Sequence, residues 1–120
     1  MTKRNVTQLM ISEELFRLVI GSVARVSIFN RRFESVNGLV QTFLEQNDPL
    51  KPSIVEELKA MSSLTGDIKL FLRLTDVGDR PNRMRAALSE AVGRHCTMRE
   101  LVAYVCLAWS ELPPLTIGPR

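Results

Sequence analysis

Two clusters of side chains in this chain have types and spacing that suit a chemical task. Lys3 and Arg4 precede Asn5, Thr7 and Gln8, and Asn30, Arg31 and Arg32 stand together further along. Lysine and arginine hold phosphate oxygens, and asparagine, glutamine and threonine hydrogen-bond base edges. The task these residues suit is nucleic-acid recognition. Lys3 and Arg4 are expected on the backbone of a duplex, and Gln8 with Asn5 or Thr7 at base edges. Asn30, Arg31 and Arg32 are expected to open a helix, whose unpaired N–H groups already favour a phosphate.

Other chemistry is poorly supplied. His95, Cys96 and Cys106 are the only soft metal ligands, and a structural zinc site needs four at paired spacings. Both cysteines read as buried side chains. No glycine-rich loop matches a phosphate cradle. The carboxylates are scattered over solvated helix faces, so no acid, base or nucleophile constellation can be named. The expectation is a protein that is not an enzyme and uses no cofactor or metal. Tyr104 and Trp109 are expected to pack the last helix and not to stack on bases.

Charge is unevenly placed. Residues 1–33 carry six basic and two acidic side chains, residues 34–80 five basic and eight acidic, and residues 81–120 five basic and three acidic, within a net charge of +3. A polyanion-binding surface is therefore expected at the amino end. No apolar run is long enough to cross a bilayer. Glu13, Glu14 and Arg17 interrupt the first apolar segment, so it is not a signal peptide. Two cysteines make no disulfide framework, which places the chain in a reducing, cytoplasmic setting.

The elements that must position these residues follow from periodicity. Residues 5–11 are rich in β formers, with Thr7, Leu9 and Ile11 on one face and Val6, Gln8 and Met10 on the other. Ser12 caps a helix to about Arg25, with Glu13 and Glu14 in its first turn. That helix is apolar nearly all round, so it is expected to be buried on more than one side. A second helix is expected from Asn30 to Asn47. Ser53 and Glu56 have capping-box spacing and begin a long helix to about Leu74, with Gly66 in its middle. Two more helices are expected, Arg83–His95 and one capped by Thr97 with Glu100. A lone strand cannot satisfy its own backbone groups, and no later segment reads as a strand. Its expected partner is the same strand of a second copy.

The fold class is thus mainly α: a short amino-terminal strand in an intermolecular two-stranded ribbon, then about five helices. Residues 1–48 form a DNA-binding and dimerisation unit, and 49–120 a helical extension. The order of strand, Ser-Glu-Glu-Leu helix start and a second helix holding Val36-Asn37-Gly38-Leu39-Val40-Gln41-Thr42-Phe43-Leu44 resembles the ribbon-helix-helix family. Residues Leu9 to Leu15 are similar to its strand-to-helix junction. The segment Leu64-Thr65-Gly66-Asp67-Ile68-Lys69-Leu70-Phe71-Leu72 resembles a helical piece of plasmid mobilisation proteins, the relaxosome accessory factors. The resemblance implies a homodimer that binds double-stranded DNA in a relaxosome or as a repressor. Its carboxyl-terminal helices would then serve dimer stability or contacts with a relaxase or other protein. The competing reading is an all-α helical bundle, a viral or secretion-system adaptor with no nucleic-acid role.

Overall fold

In the computed structural model, which describes residues 4–46 and 48–110, the elements in order are β1 (Arg4–Ile11), α1 (Glu13–Asn30), α2 (Val36–Gln46), α3 (Pro52–Ala60), β2 (Ile68–Thr75), α4 (Arg80–Val92) and α5 (Met98–Trp109). The chain is mainly helical, with one two-stranded antiparallel sheet. It is not an all-α bundle.

The sheet corrects the longest of the expected helices. Residues 53–74 do not form one helix. α3 begins on Pro52 without a side-chain cap, so Ser53 and Glu56 do not act as a capping box, and it stops at Ala60. Proline at the first helical position lacks only an N–H that would be unpaired anyway. Residues 68–75 are β2, which pairs with β1 from Ile11↔Ile68 to Arg4↔Thr75. The reason for expecting a ribbon between two copies was that no later segment could pair. β2 removes that reason, because β1 finds its partner within the chain. This pairing also joins residues from both sides of position 48.

β2 is sealed along its other edge. The Asn37 side-chain carbonyl accepts from the Arg73 N–H (2.8 Å). One turn on, the Gln41 amide accepts from the Thr75 N–H (3.0 Å) and donates to the Thr75 carbonyl (2.7 Å). Two helical side chains thus complete a strand edge that would otherwise invite another chain.

The junction of β1 with α1 is wrapped by residues 62–66. The Ser12 hydroxyl caps α1 by accepting from the Leu15 N–H (3.1 Å) and donates to the Ser63 carbonyl (2.6 Å). Glu14 accepts from the Ser62 hydroxyl (2.8 Å). The Ser12 N–H donates to Leu64 O (2.9 Å). The Arg99 guanidinium donates to the Met10 carbonyl (2.8 Å), tying α5 to the same strand end.

α5 forms the centre and packs against α1, α2, α3, α4 and β1. Leu101 to Cys106 are all fully buried, as expected of a run apolar on every side. Its start is the expected capping box: Glu100 accepts from the Thr97 N–H (2.7 Å) and hydroxyl (2.6 Å) and binds Arg94 (3.0 Å). Burial alone would raise the Glu100 carboxyl. The hydrogen bonds from Thr97, Arg94 and the backbone outweigh it and hold the group below the usual carboxylate range. A depressed folded value means stability that is complete at neutral pH and is lost as pH falls through that value. Glu100→Ala is expected to cost about 2 kcal/mol in urea unfolding at pH 7. The difference from the parent should shrink as pH drops below the carboxylate range.

α1 departs from expectation in two ways. It runs five residues past Arg25, to Asn30. It also buries one side only, through Leu15, Val19, Ser22 and Val26. No glycine ends it: Arg31 takes the left-handed conformation (φ 59°), and its N–H donates to the Ile28 carbonyl. α4 starts at Arg80 and stops at Gly93 in the left-handed region, short of His95. Among the described residues, no helix is long and apolar enough to cross a membrane.

Candidate nucleic-acid interface

The antiparallel register sorts the sheet into two faces. Leu9, Ile11, Leu72 and Leu74 are buried, and Thr7, Ile68 and Leu70 are half-buried beside them. The outer face carries Val6 opposite Arg73, Gln8 opposite Phe71, and Met10 opposite Lys69. Val6 is 57% exposed and Phe71 50%, and Gln8, Lys69 and Arg73 are exposed.

A sheet with one face in the core ordinarily shows water a polar face. Here the centre of the exposed face is an aromatic ring beside an amide, with a cation at either end of β2. Lys69 and Arg73 lie four residues apart, about 13 Å along the strand. No acidic residue holds an outer position of either strand. Among the described residues, neither cation takes part in an ion pair. At Val6, Thr7 and Leu74 a groove of about 360 Å³ is lined by Asn82 and Arg85 of α4, the guanidinium there donating to the Cys96 carbonyl (3.5 Å) and to Asn82 (3.4 Å).

The sequence-predicted residues are only partly assembled there. Gln8 is on the outer face. Thr7 is not; it is paired with Leu72 on the core side. Arg4 and Asn5 open β1, opposite Thr75 and Leu74, and Lys3 lies outside the described residues. Asn30, Arg31 and Arg32 do not open a helix. Asn30 ends α1, and α2 starts only at Val36, so the helix N–H groups expected beside them are not theirs. The Asn30 amide (2.9 Å) and the Arg32 guanidinium (2.8 Å) both donate to the Glu34 carboxylate. Arg32 and then Asn30 hold that carboxyl below its usual range, so part of the Arg32 charge is already answered. The Glu34 N–H donates to the Ser27 hydroxyl (3.0 Å). Three residues on, Asn37 binds Arg73. The connection from α1 to α2 that carries the arginine pair thus leads to the strand edge at Arg73.

Lys69, Phe71 and Arg73 were missed by sequence reasoning, although their signal was present. Ile68, Leu70, Leu72 and Leu74 alternate with Lys69, Phe71, Arg73 and Thr75 without a break, the period of a half-buried strand.

The thiols do not form a reactive site. Burial pushes the Cys106 thiol up to about 12, against a hydrogen bond from Ser22. Burial, with the nearby Glu100 charge, raises Cys96 as well. Both sulfurs stay protonated and poorly nucleophilic at neutral pH.

No family model, curated protein or solved structure matches this chain.

Proposed function

We propose that this protein binds double-stranded DNA through the outer face of its β1–β2 ribbon. The observation that carries this reading is the pairing of Gln8 with exposed Phe71 between Lys69 and Arg73, on a face without an acid. The major groove admits a two-stranded ribbon. In that placement Lys69 and Arg73 reach phosphates, and Gln8 hydrogen-bonds a base edge. Phe71 and Val6 lie against apolar groups such as the thymine methyl. Arg31 adds charge at the rim.

The likeness to ribbon-helix-helix proteins, at the strand-to-helix junction of residues 9–15 and the helix holding residues 36–44, supports a DNA-binding role such as that of a repressor. The segment 64–72 is a loop and strand and not the helix of mobilisation proteins, so it lends no support to a relaxosome role.

The test is fluorescence anisotropy with a random-sequence duplex at two salt concentrations. Two phosphate contacts predict a log–log salt slope of about −2 or steeper. Absence of binding at low salt would reject the reading.

A further inference from the structure

The outward side of α1 is an apolar stripe. Phe16, Ile20, Ala24 and Ile28 follow one another at intervals of four, and Phe29 and Phe33 flank its carboxyl end. Phe16 is 39% exposed, Ile20 53%, Ile28 50%, Phe29 47% and Phe33 103%. Taking about 200 Å² for a fully exposed aromatic side chain, this is roughly 500 Å² of apolar surface. That is as large as the largest apolar patch on a typical monomer, a size that often marks a functional surface.

The stripe is complementary to itself end for end. Its amino end has a ring, Phe16, and an exposed acid, Glu13, which also pairs loosely with Arg17 one turn on (3.5 Å). Its carboxyl end has a shallow depression of about 280 Å³ lined by Ser27, Ile28, Arg31, Arg32 and Phe33. In the middle, a side chain at Gly21 would meet nothing within 4 Å. Packing inside the chain therefore does not require this glycine, which leaves room for another helix to approach.

We propose that a second copy of this chain covers the stripe, its α1 antiparallel to the first, about a twofold axis crossing between Ile20 and Ala24. Phe16 and Ile28 lie about 9 Å to either side of that axis, at 1.5 Å per residue. Each Phe16 then enters the other copy's depression, beside its guanidinium groups, an arrangement attractive to the ring face. Glu13 of each copy meets Arg31 of the other, and Ile20 meets Ala24. A parallel arrangement would set like charge against like. Two copies together cover roughly 1,000 Å² of apolar surface, which with a polar rim reaches the lower range of specific interfaces. The pairing does not depend on DNA binding, and either can fail without the other.

Sedimentation equilibrium of the full chain tests it. The expected result is a dimer at micromolar concentration. Ile20→Lys should weaken it at least about tenfold, with the circular-dichroism spectrum of the folded chain retained because Ile20 is exposed. Glu13→Arg and Arg31→Glu should each weaken the dimer, and the two combined should restore it. A monomer throughout, or a dimer indifferent to Ile20→Lys, overturns the proposal. Loss with Ile20→Lys but no restoration by the charge exchange overturns the antiparallel placement.

Discussion

Alanine at Gly66 is expected to lower the melting temperature by about 10 °C, read by circular dichroism on heating. A Cβ there would lie 2.5 Å from the Ile11 carbonyl oxygen and 2.6 Å from Ser12 Cα. Both are backbone atoms of the β1–α1 junction, so no side chain can rotate away. The segment is pinned to the junction by Ser12 N–H on Leu64 O (2.9 Å), and α5 holds the junction as well, through Arg99 on the Met10 carbonyl (2.8 Å). Forcing a methyl group into such a contact costs about 3 kcal/mol, which for a chain of this size corresponds to the shift given. The effect is one of space, since Gly66 is not among the positive-φ residues. Gly21→Ala, compared at a concentration where the chain is monomeric, provides the control: within the chain nothing lies within 4 Å of its added carbon. Helix propensity then stabilises the fold by up to about 1 kcal/mol. A melting temperature for Gly66→Ala equal to that of the parent would mean that residues 64–66 do not cross β1 as described.

Tyr104→Ala should be more damaging still. The side chain is fully buried at the centre of α5. Its ring meets Phe43 edge to face, with centroids 5.7 Å apart and planes at 72°. Its hydroxyl accepts from the Lys51 N–H (2.7 Å), the residue from which α3 starts. Truncation leaves a cavity where α2, α3 and α5 converge, at a cost of about 3–5 kcal/mol. That is a large part of the total stability of a domain this size. Tyr104→Phe keeps the ring and removes the hydroxyl that accepts from Lys51, for about 1–2 kcal/mol. Urea unfolding of the two variants separates the contributions. Equal losses would mean that the hydroxyl, and not the packing of the ring, holds α3 to α5.

Much of the fold was legible in the sequence. Alternation placed Thr7, Leu9 and Ile11 on one side of β1, where the structure has them. Ser12 and the pair Thr97–Glu100 marked the starts of α1 and α5, because a cap is a local device written in adjacent residues. The error lay at residues 61–75. Ile54, Leu58, Met61, Leu64, Ile68 and Leu72 suit a helix, while Ile68, Leu70, Leu72 and Leu74 suit a strand. Local periodicity does not choose between them. The choice comes from β1, more than fifty residues away, and from the α2 amides that complete the β2 edge.

The placement of the candidate residues was only partly legible for related reasons. Arg31 and Arg32 were expected to open the second helix, whereas α1 runs past Arg25 to Asn30 and ends beside them without a glycine. Arg31 itself supplies the left-handed residue there, a position glycine usually takes. Once β2 is a strand, Lys69, Phe71 and Arg73 share a face with Gln8, and the strongest candidate residues come from the part of the chain with a net negative charge.

The central claim is that the ribbon face, and not the arginines at the end of α1, carries DNA binding. The most direct test is anisotropy of a fluorescent duplex across a salt series, comparing Lys69→Ala/Arg73→Ala with Arg31→Ala/Arg32→Ala. The ribbon pair should lower affinity at low salt by about tenfold or more and reduce the salt slope by about two. The helix-end pair should do less, since Arg32 is engaged by Glu34. Unchanged binding in Lys69→Ala/Arg73→Ala, with binding lost in Arg31→Ala/Arg32→Ala, would contradict the account.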